Sequence, residues 1–389
     1  MIATRTVLAL GVSQLVCWGI TYYLIGVLGP LMVAELRWSS AAVYGGFSVS
    51  LLVMAASSAA VGRWLDRQGG AWAMTLGSVV IAAGCLMLAL AHGAVLYYAA
   101  WIVLGLAMRL TLYDAAFAAL ARIGGPLARR PIAQITLLGG LASTVFWPVG
   151  GALAQHLGWR GAVLAYGLVA LATIPLHATL PRGRYAGKPE GADSATQAAV
   201  AAPTPDRLRA WLYALIVALV AFLNSAMSSH MIGILAALGL AASTAVWISA
   251  ARGIGQSASR LAEIMFGRTL DPLRLNLMAT GALPVAFALA FAGGVAPAAA
   301  VAFSLLYGAG NGVATITRGT LPLVLFDHRV YGAVVGRLLM PSFVLSAAAP
   351  LAYAEVLERF GARGALALSV AVGLAALAAS VALALRARH

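Results

Sequence analysis

Apolar runs long enough to cross a lipid bilayer recur along the whole chain. A helix needs about 20 apolar residues to cross the ~30 Å hydrocarbon layer of a membrane. The sequence supplies twelve such runs, which we number as spans 1 to 12: 7–34, 40–62, 72–91, 95–121, 131–156, 160–180, 210–237, 243–266, 273–294, 298–325, 331–357 and 364–385. Because lipid offers no partner for free backbone N–H and C=O groups, each span is predicted to be a helix.

Charged residues are too scarce for a soluble protein of this length. They make up 9% of the 389 residues, whereas soluble domains carry about one quarter. The net charge of +14 does not indicate a nucleic-acid partner, because the charges lie between the apolar runs. The first run lacks a small-residue cleavage site, so we expect it to be retained as span 1 and not removed as a signal peptide.

The sequence shows no spacing typical of a cofactor or metal site. Cys17 and Cys85 lie inside apolar runs and have no metal-ligand or redox spacing. No Gly-x-x-x-x-Gly-Lys-Ser/Thr phosphate loop is present, which argues against ATP as a direct energy source. The sequence contains no cluster of a nucleophile and a base that would indicate a membrane enzyme. We therefore expect no cofactor and no enzymatic activity.

Basic residues are unevenly distributed between the predicted loops. If the N-terminus is cytoplasmic, sixteen of the 25 Lys and Arg residues fall in cytoplasmic segments and four in external ones. This distribution follows the positive-inside rule for an even number of spans. It predicts a multi-pass protein with both termini in the cytoplasm. We expect the protein to be a monomer in a bacterial inner membrane.

The hydrophilic stretch 181–209 divides the spans into two sets of six. Its Pro, Gly, Ser and Ala content with mixed charge is typical of a flexible linker. The fold class predicted is an all-α integral membrane protein with twelve transmembrane helices in two pseudo-symmetric six-helix bundles. Residues 1–180 form the first bundle, 181–209 the cytoplasmic linker, and 210–389 the second bundle.

Two matched pentapeptides indicate an internal duplication. Residues 62–66 (Gly-Arg-Trp-Leu-Asp) end span 2, and residues 267–271 (Gly-Arg-Thr-Leu-Asp) end span 8, 205 positions later. Residues 158–162 (Gly-Trp-Arg-Gly-Ala) begin span 6, and residues 361–365 (Gly-Ala-Arg-Gly-Ala) begin span 12, 203 positions later. Two matches at nearly one offset, in corresponding loops, fit a parallel six-plus-six repeat.

The loop between spans 2 and 3 carries a family signature. Residues 62–69, Gly-Arg-Trp-Leu-Asp-Arg-Gln-Gly, match the Gly-x-x-x-Asp-Arg-x-Gly motif of the major facilitator superfamily, which the whole chain resembles. The basic residues that usually follow are replaced by Gly-Ala-Trp at 70–72. The resemblance implies a secondary transporter that works by alternating access.

By the same resemblance, Gly62, Asp66 and Arg67 belong to a gate. Asp66 is expected to contact the cytoplasmic end of span 11, just after residues 327–329, where the helix dipole favours a carboxylate. This contact would latch the outward-facing state. The alternative is that Asp66 and Arg67 form a solvated turn. In the second half, Asp271 ends the repeated motif and is assigned to the gate as well.

Two weaker resemblances bear on the solute. The segments 113–118, 308–312 and 318–322 are similar to a bacterial branch of the superfamily that is related to monocarboxylate and oxalate–formate carriers, which implies an organic acid. Residues 147–151, Trp-Pro-Val-Gly-Gly, resemble a weakened antiporter signature, although they also suit any kinked, closely packed span. The second resemblance supports a multidrug or toxic-compound efflux antiporter as the alternative function.

Arginines outnumber acids inside the predicted spans. An ionised side chain at mid-membrane costs at least about 2.5–3.5 kcal/mol, so each needs a partner or a function. The acids within the spans are Asp114 and Glu263, and the arginines are Arg109, Arg252, Arg260, Arg318 and Arg337. The excess of guanidinium groups predicts a positive cavity that attracts a small organic anion, moved with protons or by exchange.

Asp114 and Arg318 are the first candidates for the site. Alignment of Gly105 with Gly308, at the 203-residue offset, puts Asp114 one residue from the equivalent of Arg318. Either Asp114 exchanges a proton while Arg318 binds the substrate carboxylate, or the two form a fixed ion pair. Arg109 precedes Asp114 by five residues, so on a continuous helix the two side chains point about 140° apart. Arg109 then binds substrate or pairs with another helix.

Span 8 carries a polar stripe at helical spacing, formed by residues 252, 256, 259 and 263. Arg252 has no local partner in the sequence and is expected to line the cavity and bind substrate. Arg260 and Glu263 are three residues apart and are expected to pair, either at an inner gate or structurally.

Uncharged polar residues within the spans complete the candidate site. Tyr22 and Asn311 are expected to contact the substrate, and Tyr23, Asn224 and Tyr307 to line the cavity. His230 either takes part in proton coupling or is a hydrogen-bonded residue near the outer face. The expected partners are the solute, protons and the lipid bilayer.

Overall fold

The computed structural model describes residues 2–183, 207–266, 271–294, 296–325, 338 and 340–387, and the described part is almost entirely helical. The first half contains spans 1 to 6. Span 1 is Thr4–Cys17, a π-helical turn Trp18–Tyr22 and Leu24–Leu36; span 2 is Ser40–Gln68; span 3 is Gly70–Ala89; span 4 is Ala94–Thr111 with Tyr113–Gly124. A 3-10 turn, Gly125–Ala128, leads into span 5, which starts as Arg129–Gly140. The next helix, Ala142–Ala172, completes span 5 and begins span 6, which ends with Ile174–Ala178.

The second half repeats this arrangement after the linker, most of which lies outside the described residues. Span 7 is Arg207–Ala237, span 8 is Ala242–Phe266, span 9 is Pro272–Ala290 and span 10 is Pro297–Leu325. The last helix, Met340–Arg386, contains spans 11 and 12.

The number of spans agrees with the sequence prediction. Within the described residues, nine helical segments are long and apolar enough to cross a membrane, and two of these, Arg130–Ala178 and Pro341–Arg386, are long enough for two spans each. Span 8 falls outside this set because Arg252, Gln256 and Arg260 interrupt its apolar run. Span 8 therefore gains its place in the bundle by packing against other spans and not by apolar surface alone.

Two glycines break the long helices at equivalent points. Gly158 separates spans 5 and 6 with φ 68°, and Gly361 separates spans 11 and 12 with φ 65°. Only glycine adopts this left-handed region without a steric penalty. The two positions are 203 residues apart, as the repeated pentapeptides lead one to expect.

A second pair of glycines brings helices together in each half. A Cβ at Gly105 of span 4 would collide with the Ser50 backbone of span 2, and a Cβ at Gly308 of span 10 would collide with the Arg252 backbone of span 8. Small residues allow membrane helices to approach this closely. The same close approach thus occurs at corresponding places in both halves.

The loop between spans 2 and 3 is shorter than the sequence predicted. The helix of span 2 continues through the signature motif to Gln68, and Gly69, with φ 85°, is the only residue between it and span 3. Gly62 therefore lies inside a helix and not in a loop.

Candidate functional site

A cavity of about 200 Å³ lies between the two halves of the bundle. Spans 1, 2, 4 and 5 of the first half and spans 7 to 11 of the second half contribute its walls. A central cavity lined by both halves is where a carrier built from two repeats binds its solute.

The two halves contact each other on one side of this cavity. The ring of Tyr44 in span 2 lies 4.0 Å from the ring of His230 in span 7. A Cβ at Gly26 of span 1 would collide with the Ser228 carbonyl oxygen, and one at Gly45 would lie 3.4 Å from Leu351 Cδ2 of span 11. We call the end of the bundle at these contacts the distal end.

The cavity lies toward the opposite end, which we call the terminal end because spans 1 and 12 begin and end there. Along span 2 the cavity residues Leu51 and Met54 follow the contact residue Tyr44, and along span 7 Asn224 precedes His230. The halves are therefore closed at the distal end and separated by the cavity nearer the terminal end.

Spans 5 and 8 stay in contact beside the cavity. The Thr144 hydroxyl donates to the Ala250 carbonyl oxygen (2.7 Å), and the Ser257 hydroxyl donates to the Leu137 carbonyl oxygen (2.8 Å). Arg260 Nη1 donates to the carbonyl oxygen of Thr136. These contacts join the two halves along spans 5 and 8, beside the cavity.

This last contact corrects the prediction for Arg260. The described part of the chain contains no ion pair between Arg260 and Glu263; Arg260 is 2% exposed and reaches across to span 5 instead. The reason is that Arg260 points toward the other half, where the Thr136 carbonyl oxygen accepts its hydrogen bond.

The cavity wall is positively charged. Among the described lining residues, the charged side chains are Arg260 and Arg318, and no described lining residue is acidic. The Arg318 guanidinium has no described side-chain or backbone partner, and Arg260 Nε is buried without one. Two cations without a carboxylate give the wall an unbalanced charge in a medium of low dielectric.

One side of the cavity is aromatic. Trp18, Tyr22, Tyr23 and Tyr113 line it, and the ring of Trp18 lies 4.9 Å from the rings of both Tyr22 and Tyr113. The π-helical turn Trp18–Tyr22 and the turn at Tyr23 change the register of span 1. Tyr22 ends the π-helical turn and Tyr23 follows it, and both tyrosines line the cavity.

The opposite side carries four carboxamides, from Asn224, Gln256, Asn276 and Asn311. The Asn276 amide is engaged by Ser380 Oγ (2.9 Å) and by Thr317 Oγ1 (3.4 Å). Gln256 Oε1 is buried and has no described partner. Buried polar atoms are nearly always hydrogen-bonded, so Gln256 Oε1 lacks the partner that such an atom usually has.

Arg252 lies behind this wall and not on it, contrary to the prediction that it lines the cavity. It is 0% exposed. Its guanidinium carbon lies 5.2 Å from the ring of Tyr307, 5.5 Å from that of Tyr23 and 5.9 Å from that of Trp147. Three ring faces and neutral hydrogen-bond acceptors stabilise the buried cation in place of a carboxylate.

Asp114 pairs with Arg109, and the structure does not bring it to Arg318. The prediction that Arg109 and Asp114 point away from each other is wrong because span 4 is not a continuous helix. Leu112 has an extended backbone, with ψ −171°, and Asp114 lies in the first turn of a new helix. Neither member of the pair is among the described lining residues, and 47% of the Asp114 side chain is exposed.

His230 lies at the distal contact and not on the cavity. It is 3% exposed, and its Nε2 lies 2.8 Å from the Pro350 carbonyl oxygen. Its ring lies between Tyr44 of the first half and Tyr353 of the second, 4.0 Å and 6.3 Å away. His230 therefore takes part in the closure between the halves.

The structure describes only part of the predicted gate. Arg67 lies in the last turn of span 2, and the Asp271 carboxylate caps span 9 by accepting from the Leu273 N–H (3.2 Å). The Asp66 side chain, residues 267–270, residues 327–329 and Arg337 lie outside the described residues.

Several cavity residues were not among the sequence candidates. The polar ones are Trp18, Tyr113, Asn276, Thr315, Thr317, Ser342 and Ser346. The spacing of Asn311, Thr315 and Arg318 along apolar span 10 is a helical stripe that sequence inspection can find. Trp18 and Tyr113 depend on the π-helical turn and on the break at Leu112, for which the sequence carries no comparable signal.

Comparison with solved structures gives the fold. The nucleoside transporter NupG matches with a TM-score of 0.71 at 14% identity, over 98% of each chain, and a point mutant of it with a TM-score of 0.79 at 14% identity. The mutant comparison covers 97% of this chain and 99% of that one. A bacterial homologue of the human lysosomal transporter Spinster, inward-facing and occupied, matches with a TM-score of 0.67 at 16% identity, over 98% of this chain and 94% of that one.

Sequence comparison gives the family. No curated protein sequence matches the chain. The model of the Major Facilitator Superfamily matches residues 10–350, which include parts of both halves and all the described lining residues of the cavity. Together with the twelve-span fold, this match shows that the chain is a membrane transporter and belongs to the Major Facilitator Superfamily.

Proposed function

We propose that this transporter is a secondary carrier for a small organic anion of the monocarboxylate type, moved by alternating access. The observation that supports this most directly is the charge of the cavity wall, where Arg260 and Arg318 are the described charged lining residues. A guanidinium group without an acidic partner is a suitable site for a carboxylate, which it can bind through two parallel hydrogen bonds.

Arg318 is the residue that we assign to the carboxylate. It lies seven residues after Asn311 on span 10, which is about 10 Å along the helix and within about 20° on the wheel. Side chains lean toward the start of their helix, so the guanidinium of Arg318 extends toward Asn311. A small solute between these two side chains would also touch the aromatic wall.

The alternative, efflux of apolar cations, has less support. Two arginines repel a cation from the cavity. Trp147 of the antiporter-like segment has a structural explanation, since its Nε1 donates to the Tyr23 carbonyl oxygen (3.0 Å) and its ring lies beside Arg252. We therefore retain a small organic anion as the proposed solute.

We assign the protein to a bacterial inner membrane with both termini cytoplasmic, and we expect a monomer. The unequal distribution of basic loop residues supports this orientation. In that orientation the cavity faces the cytoplasm and the distal contacts close it from outside. Coupling is by protons or by exchange, with Asp114 and its partner Arg109 as the candidate proton site.

The test is uptake into proteoliposomes that contain the purified full-length chain, with an imposed pH gradient and a panel of labelled carboxylates. We expect at least one small carboxylate to accumulate, Arg318→Ala to abolish its uptake, and Arg318→Lys to raise KM about tenfold by loss of the two-point fork. Arg359→Ala is the matched control, because Arg359 is a highly exposed arginine paired with Glu355 away from the cavity.

Two results would overturn the proposal. One is wild-type uptake by Arg318→Ala, and the other is uptake of a cationic dye when every carboxylate fails.

A further inference from the structure

One oxygen in the cavity wall accepts two hydrogen bonds. Arg252 Nη2 lies 2.6 Å from Asn224 Oδ1, and Asn311 Nδ2 lies 2.9 Å from the same atom. Arg252 comes from span 8, Asn224 from span 7 and Asn311 from span 10, so the contact joins three helices of the second half.

The chemistry of arginine determines how both amides are oriented. A guanidinium group can only donate, so the atom of Asn224 that faces Arg252 must be the carbonyl oxygen. The atom of Asn311 that faces this oxygen must then be its NH₂ group. Asn224 Nδ2 and Asn311 Oδ1 are left for other partners.

Both remaining atoms are available at the cavity. The described contact of Asn224 Nδ2 is a long one, 3.5 Å to the Tyr22 hydroxyl, and Asn311 Oδ1 has no described partner. Asn224 and Asn311 are both cavity-lining residues. The wall therefore offers an N–H donor and a C=O acceptor on adjacent side chains.

Further contacts fix the position of the Arg252 guanidinium group beside Asn224. Its Nη1 donates to Ser228 Oγ (3.1 Å), and three aromatic rings surround its guanidinium group. A hydrogen bond from a cation is stronger than a neutral one and polarises the acceptor amide. The polarised amide of Asn224 is a better donor toward the cavity.

We propose that the solute is a hydroxycarboxylate, that Asn224 and Asn311 recognise its hydroxyl group, and that Arg252 is the positioning residue for this pair. A hydroxyl oxygen accepts from Asn224 Nδ2, and its hydrogen is donated to Asn311 Oδ1. An oxo group satisfies only the donor, and a methylene group satisfies neither. This inference rests on the proposed function, in which Arg318 binds the carboxylate.

The first experiment compares four-carbon solutes in proteoliposomes with the full-length protein. The probes are labelled butyrate, the 2-, 3- and 4-hydroxybutyrates, and 3-oxobutyrate. We expect one hydroxybutyrate to have a KM about tenfold below that of butyrate, because butyrate pairs with neither the Asn224 N–H donor nor the Asn311 C=O acceptor. The position of the preferred hydroxyl group gives its distance from the carboxylate.

The second experiment changes the donor and keeps its shape. Asn224→Asp preserves the contact to Arg252 but replaces the cavity-facing N–H with a carboxylate oxygen, so the hydroxyl preference should fall to near unity. Asn276→Asp is the matched control: it adds the same charge to the same cavity, but the Asn276 amide is engaged by Ser380 and Thr317. We expect this variant to keep the preference, whatever its rate.

The third experiment tests positioning. Arg252→Met fills the buried site with an uncharged side chain. Without the guanidinium group, the Asn224 carboxamide can rotate and exchange the positions of its oxygen and nitrogen atoms. We expect this variant to transport butyrate and the hydroxybutyrate with similar KM values. The ratio of KM values is the readout because lower expression or partial unfolding does not change it.

The outcomes separate this inference from the proposed function. Equal KM values for butyrate and every hydroxybutyrate, with uptake that still needs Arg318, would refute the hydroxyl pair and leave the anion carrier intact. Retention of the preference in both Asn224→Asp and Arg252→Met would also refute it. Failure of all carboxylates would remove both proposals.

Discussion

The charged side chains within the spans of this protein are stabilised in different ways. Arg252 is surrounded by aromatic rings and amide oxygens, Arg109 pairs with Asp114, and Arg260 donates to a backbone carbonyl oxygen. The guanidinium group of Arg318 has no described partner. An ion in a low-dielectric interior needs such compensation, so the side chain without it is the one free to bind an anion.

The ion pair of Asp114 gives a testable prediction about proton coupling. The ion pair between Asp114 and Arg109 spans the break in span 4 at Leu112, and loss of the Asp114 charge would remove it. We expect Asp114→Asn to abolish accumulation driven by a pH gradient while exchange of labelled for unlabelled solute continues. Both are measured in the same proteoliposomes. Accumulation at the wild-type level in the variant would exclude Asp114 from coupling.

Helical elements were predicted well where hydropathy alone decides them. The twelve spans were predicted from apolar length, because a helix that faces lipid is mostly apolar. Span 8 is the least apolar of them, since Arg252, Gln256 and Arg260 interrupt its apolar run. Irregularities inside the spans were missed: the π-helical turn at Trp18–Tyr22 and the break at Leu112. Both depend on packing against neighbouring helices, and both alter which side chains face the cavity.

The close contact of span 10 with span 8 gives a prediction about the stability of the helix packing. A Cβ at Gly308 collides with the backbone of Arg252, and a backbone atom cannot move aside as a flexible side chain can. We expect Gly308→Ala to lower the melting temperature of the purified protein by about 3 to 8 °C.

The control for Gly308 is another helical glycine. Nothing lies within 4 Å of a Cβ at Gly233 of span 7, so Gly233→Ala should leave the melting temperature unchanged or raise it. Equal effects of the two substitutions would contradict the close approach of spans 8 and 10.

In the whole molecule, the two halves have similar folds, but contacts between them close the bundle at one end only. Contacts at Tyr44, Gly26 and Gly45 close the distal end, while spans 5 and 8 stay joined beside the cavity. Rocking of one half against the other about such a joint would open the distal end and close the terminal end.

This movement can be tested by cross-linking. In the variant with Gly45→Cys and Leu351→Cys, oxidation should join the halves at the distal end, stop transport and remove two maleimide-reactive thiols. Reduction should restore both. The native Cys17 and Cys85 are buried and should not interfere. The single variants are the controls, and undiminished transport in the cross-linked protein would argue against opening at this contact.

The sequence by itself determined the membrane class, the twelve helices, the family signature and the excess of arginine within the spans. These properties follow from local composition, because each residue of a membrane-spanning helix has its own free-energy cost of transfer into lipid. The tertiary structure decided which partners the charged side chains within the spans have, as Asp114, Arg252 and Arg260 demonstrate. Partners come from other helices, and a break or a π-helical turn rotates every later side chain of its span, so helical spacing alone does not specify which of them meet.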